Sequence, residues 1–256
     1  LPVPAQVAQF NGIPLTIDKD VMPHIPFGKQ IRVINFPLSQ NRNVDLDLQR
    51  FNVFTSDAQV VIGSSDTNNQ LTDRPVELPD VVLLRGSIID EPGSKVFIAI
   101  GEYTTNGIIE SGGSTFVIAK NPAEGWTAVY ELDAVDPELM NWVDVKCGVE
   151  HYAGVVNQSS GGEVGERSLG ENCAAIRIAI ETDWEFTGNL FGGNIDASAE
   201  YATTLIGAVS TIYESDVNMA TKICYLRLWA SAFDPWSTGS SSARLSEFHS
   251  YWQSNM

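Results

Sequence analysis

The stretch from Ala174 to Trp229 constrains this chain more than any other, because its hydrophobic pattern changes period twice. Residues 174–186 alternate apolar and polar side chains and then meet Gly188, Gly192 and Gly193, as a buried strand does where it hands over to a loop. A helix is predicted next. Asp196 is placed to cap it, Glu200 suits the positive end of its dipole, and Tyr201, Leu205, Ala208, Val209 and Ile212 recur on one face. Thr221–Trp229 alternates again, with Ile223 and Tyr225 as β-formers, and Asp234 and Pro235 break the chain after it. The unit is β-α-β. A further helix over Ser242–Gln253 carries Leu245, Phe248 and Trp252 on one face, against which Trp229, Phe233 and Trp236 are expected to pack.

The amino-terminal half reads differently. Short alternating runs over residues 30–36, 44–54, 59–62, 81–89, 95–101, 107–110, 115–119 and 127–132 predict strands. Turn residues separate them at 91–94, 105–107 and 111–114. Regular strands with glycine-rich turns and no sustained helical stripe point to an antiparallel sandwich or barrel. Residues 154–172 have no periodicity and are rich in glycine, serine and charge, which predicts a flexible linker. The expected organisation is therefore a β-rich domain over 1–153, a linker over 154–172, and an α/β portion over 173–256.

A formal net charge of −17, from 32 acidic and 15 basic residues, argues against nucleic acid and anionic lipid as partners. No apolar run approaches the roughly 20 residues of a membrane helix. Leu1 in place of Met leads to the expectation of a leader removed upstream, consistent with a secreted, extracellular protein. The three cysteines, Cys147, Cys173 and Cys224, cannot all pair within the chain.

Two stretches resemble one family. Residues 179–186, the helix ending at Ser210–Glu214, and the strand Tyr225–Trp229 followed by Asp234–Trp236 are similar to the opening of a reprolysin-like, adamalysin-type catalytic domain of the metzincin zinc endopeptidases. Residues 84–100, 105–109 and 114–119 resemble the propeptide of that family, with Gly86 and Gly107 at its glycines and Leu84 and Phe116 as departures at its aromatic positions. A propeptide followed by a metzincin opening implies a zymogen whose parent hydrolyses protein or peptide substrates through a zinc-bound water. It also implies contact in cis between propeptide and catalytic domain. The family's zinc motif, H-E-x-x-H-x-x-G-x-x-H, does not occur here, and His24, His151 and His249 have no ligand spacing. Zinc is thus expected in a full-length parent and not in this chain, which should be inactive alone.

Three candidate sites follow. Residues 146–149 resemble the family's cysteine switch, in which the Cys147 thiolate would block zinc, with Asp144 and Val145 where the family has proline; a structural cysteine is the other reading. Arg167 is the only basic residue of the linker, so the Arg167–Ser168 bond is either a trypsin-like activation cut or part of a plain solvated segment. Glu181, Asp183 and Glu185 either share a calcium ion, act as paired catalytic carboxylates, or are simply solvated. Two non-peptidase classes also compete: an adhesion protein joining a β-sandwich to a von Willebrand-like α/β module, and a secreted inhibitor or chaperone-like prodomain. The adhesion module would require D-x-S-x-S where this chain has Glu181 to Glu185 without serines.

Overall fold

The computed structural model describes residues 5–18, 24–65, 71–121, 123–136, 174–237 and 239–255. A short helix α1 (Ala5–Gln9) is followed by ten strands: β1 (Ile13–Leu15), β2 (Gln30–Ser39), β3 (Arg42–Phe51), β4 (Phe54–Ser65), β5 (Leu71–Val76), β6 (Val82–Ile88), β7 (Lys95–Ile100), β8 (Thr105–Ser111), β9 (Ser114–Lys120) and β10 (Thr127–Glu131). After them come β11 (Ala174–Glu181), α2 (Ile195–Val217), β12 (Met219–Trp229) and α3 (Ser241–Asn255). Among the described residues no helix is long and apolar enough to cross a membrane.

Eight strands form sheet A in the order β1-β10-β9-β8-β7-β6-β3-β2, and every pairing in it is antiparallel. The sheet curls into a half-barrel, with β2 returning to β1 and β10. Alternate residues point inward, so Leu46, Leu48, Val82, Leu84, Val96, Ile98, Ile109 and Ile118 fill its interior. The expected barrel or sandwich is thus a curled antiparallel sheet. The hairpin β8–β9 turns on Gly112 and Gly113, with φ of 59° and 87°, as a two-residue loop between Ser111 and Ser114 demands. The expected turn at 105–107 is instead the start of β8. Gly107 is there for close approach, because a Cβ on it would lie 2.8 Å from the Phe97 carbonyl oxygen.

The run expected as one strand over 44–54 breaks after Phe51. Asn52 Oδ1 accepts from the Phe54 amide at 2.9 Å, an Asx-type turn that takes the chain out of sheet A. The strand that follows, β4, joins sheet B, whose order is β11-β12-β4-β5. Pairings β11–β12 and β12–β4 are parallel, while β4–β5 is antiparallel. Two strands of this sheet come from residues 1–153 and two from residues 173–256, so the two expected units share one sheet. One edge of β12 is covered by β4. Short, polar and largely exposed, β5 gave little apolar signal and was not anticipated.

Helix α2 lies between the sheets. Its N-cap is Asn194, whose side chain accepts from the Ala197 amide at 3.0 Å, rather than Asp196. Of the stripe expected on one face, Tyr201, Leu205 and Ile212 turn outward, at 38%, 52% and 43% exposure, while Ala208 packs against the core. The buried side is Ala199, Ala202, Thr203, Gly207 and Ser210. A helix pressed between two sheets must let both approach closely, and a Cβ on Gly207 would lie 2.9 Å from the Phe97 ring. Small side chains win that face. The second core then fills from both sides, with Phe51, Leu83 and Phe97 from sheet A meeting Ile223, Leu226 and Leu228 of β12 around Ala199 and Ala202.

Candidate functional site

On β12, residues 225, 227 and 229 point to one side of sheet B and Leu226 and Leu228 to the other. The first side is covered by α3. There Glu181 of β11 lies beside Arg227 in the parallel register, and both side chains are buried, at 0% and 6% exposure. Arg227 Nη1 donates to both Glu181 oxygens at 3.1 Å and to Tyr251 Oη at 3.1 Å, while Nη2 donates to Asp73 Oδ2 of β5 at 2.6 Å. The indole N–H groups of Trp229 and Trp252 complete the Glu181 shell at 3.2 and 2.8 Å. Burial pushes the Glu181 carboxyl above its ordinary range, against the pull of Arg227 and the two indoles. Burial alone would lower Arg227, but Asp73 and Glu181 hold it above its usual value. A carboxylate enclosed by a guanidinium and two indoles has no face open to substrate, so this cluster joins β11, β12, β5 and α3.

The other members of the acidic trio are also engaged. Asp183 forms an ion pair with Arg244 and accepts from the Phe186 amide at 2.8 Å, and Glu185 lies 3.8 Å from the same guanidinium. Glu181 faces Arg227 and the other two face Arg244. The three do not converge on one point. Nearby Asp234 accepts from the amides of Trp184 and Trp236 at 2.6 and 3.2 Å, with burial pushing its carboxyl upward. Trp236 packs on Phe248 and Tyr251 of α3 as expected, and Trp229 is fully buried, but Phe233 is 70% exposed.

A cleft of about 540 Å³ opens between the ends of β5, β7 and β12 and the start of α2. Val82, Ile100 and Leu228 give it apolar walls, while Glu77, Asp80 and Asp196 make it electronegative. One wall is fixed by Glu200, which does not serve the helix dipole as expected. Its buried carboxylate accepts from the backbone amides of Glu102, Tyr103 and Thr104 at 2.8, 2.9 and 3.0 Å, fastening α2 to the loop after β7. A Cβ on Gly101 would lie 2.3 Å from that carboxylate. Sequence reasoning named Glu200 but not its amide partners, and missed Arg227. The signal was available: each is a charged residue on an otherwise small or apolar buried face, which demands a partner.

Cys147, Arg167 and Ser168 lie outside the described residues, as do His151 and Cys173. The described histidines, His24 and His249, are both exposed. Among the described residues no three His, Cys, Asp or Glu side chains are grouped to hold a metal ion. Cys224 is a half-buried free thiol that donates to the Ile178 carbonyl at 3.2 Å.

Fold and site together define a β-rich chain in which a half-barrel and a mixed four-stranded sheet clasp one helix. Among solved structures it is similar to the crystal structure of metalloproteinase-II from Bacteroides fragilis, with a TM-score of 0.44 and 10% sequence identity. That alignment covers 92% of this chain and 63% of the other, a distant likeness to a metalloproteinase. No family model matches the chain, and no curated protein matches it.

Proposed function

We propose that this chain is the propeptide and the amino-terminal catalytic portion of a secreted, reprolysin-like zinc metalloendopeptidase zymogen, inactive by itself. The observation that carries the reading is the β11–α2–β12 unit, which falls on the residues that resemble the family's catalytic opening. Asp234 also ties two of the resembling segments together, since it binds the amides of Trp184 and Trp236. In this proposal protein or peptide substrates and zinc belong to the parent. The test extends the chain along its own reading frame and measures bound zinc by elemental analysis and casein cleavage. A histidine-rich metal motif with zinc-dependent cleavage in the extended protein alone is the expected result. A frame that continues without such a motif, or stoichiometric zinc with metal-dependent proteolysis in residues 1–256, would sink the proposal.

A further inference from the structure

We infer that residues 24–136 bind residues 174–255 as a strand donor, so that one cut between them leaves a non-covalent complex instead of two free products. The inference rests on the zymogen reading for its regulatory meaning, while its physical grounds are independent of it. Backbone pairing comes first. β4 extends the sheet alongside β12 from Tyr225 opposite Gln59 to Trp229 opposite Gly63, and the Ile223 amide donates to the Val53 carbonyl at 2.6 Å. Adding a strand to an open edge is a recognition mode that proteins use between separate chains.

Side chains then make the pairing specific. Gly63 admits the Trp229 ring, which would stand 3.1 Å from any Cβ there. Asp73 is the donor's contribution to the buried charge of Arg227. Glu200 takes three amides from the donor's loop, and Lys95 reaches Asp216 at 2.6 Å. The second core is half donor and half acceptor, so separation would open Phe97, Leu83, Leu226 and Leu228 to water together. A cut in the intervening chain breaks none of these contacts. Release requires that β4 unzip from β12 and that α2 leave β7, a second step beyond hydrolysis of the connecting bond.

The experiment places a sequence-specific protease site between residues 154 and 172 of the full chain, cuts it to completion, and follows mass by size-exclusion chromatography with light scattering at about 1 µM. A single species with the mass of the uncut chain is expected. Asp73→Ala and Gly63→Val, each first shown by circular dichroism to fold when uncut, should raise the dissociation constant of the cut pieces at least about tenfold. Separate elution of the unsubstituted pieces, precipitation of one while the other stays soluble, or variants that dissociate no more readily would each overturn the strand-donor assignment. The readout needs neither zinc nor activity, so it stands or falls separately from the peptidase proposal.

Discussion

Sheet A and sheet B use similar apolar residues, yet their registers are set by different means. Five of the seven pairings in sheet A join strands consecutive in sequence, and apolar side chains dominate its interior. In sheet B only β4–β5 pairs neighbouring strands antiparallel: β11 and β12 are parallel and joined through α2, and Thr55 of β4 and Ile223 of β12 touch across 168 residues of chain. Turn geometry can fix the first kind of ladder but has no hold on the second. Sheet B instead pairs Glu181, Arg227 and Asp73 across three strands. A slip of β12 by one residue would carry Arg227 to the side of Phe97 and Ala199, where no carboxylate waits. Local turns align one sheet, and a buried charge cluster aligns the other.

Arg227→Ala puts that contrast to its hardest test. It leaves Glu181 buried without its cation and should cost about 3–5 kcal/mol in chemical denaturation. Amides of β4, β5, β11 and β12 should lose exchange protection ahead of those in β7–β9, and equal losses in both sheets would erase the distinction. Gly86→Ala strikes the other side. Its Cβ would fall 1.9 Å from the Asp47 carbonyl oxygen in the β3–β6 ladder, for a cost of about 1–3 kcal/mol or more, with protection lost first in sheet A. Glu200→Gln replaces one acceptor oxygen with a donor facing backbone amides. A loss of about 1–3 kcal/mol is expected, shared by both sheets because α2, which Glu200 fastens to the loop after β7, also packs against β12.

The smallest effect belongs to the exposed pair Asp57–Arg177. Arg177, by hydrogen bonding, is the largest cause holding the Asp57 carboxyl down at about 2. A depressed carboxyl stabilises the fold above its unfolded value and loses that contribution as pH falls through about 2. Arg177→Ala should return the Asp57 midpoint, read by NMR, toward 3.8 with little change in unfolding. A large stability loss would show that solvent-facing charges also align sheet B.

Legibility in the sequence follows the same divide. Strands β6–β10 announce themselves through alternation and turn residues, since each pairs with the segment beside it. The β-α-β order was equally plain from its change of period. The face of α2 was not: Tyr201, Leu205 and Ile212 look like a core stripe because large apolar residues usually are, but a helix between two sheets needs small residues inside. Nor could sequence show that β4 leaves sheet A at Asn52, because its partner lies so far along the chain. Glu181 was singled out among the candidate site residues, but Arg227, on which its burial depends, was not.

The parallel pairing of β4 with β12 also sets a timetable. During synthesis β4 is made long before β12, at roughly 5–20 residues per second. The half-barrel can close its consecutive hairpins meanwhile, while β4 and β5 wait with one edge unpaired. Distant pairings carry the largest loop-closure cost and form slowly. Sheet B is therefore completed later than sheet A, and the interval before β12 arrives is when β4 is most exposed to capture by the β4 of a neighbouring chain.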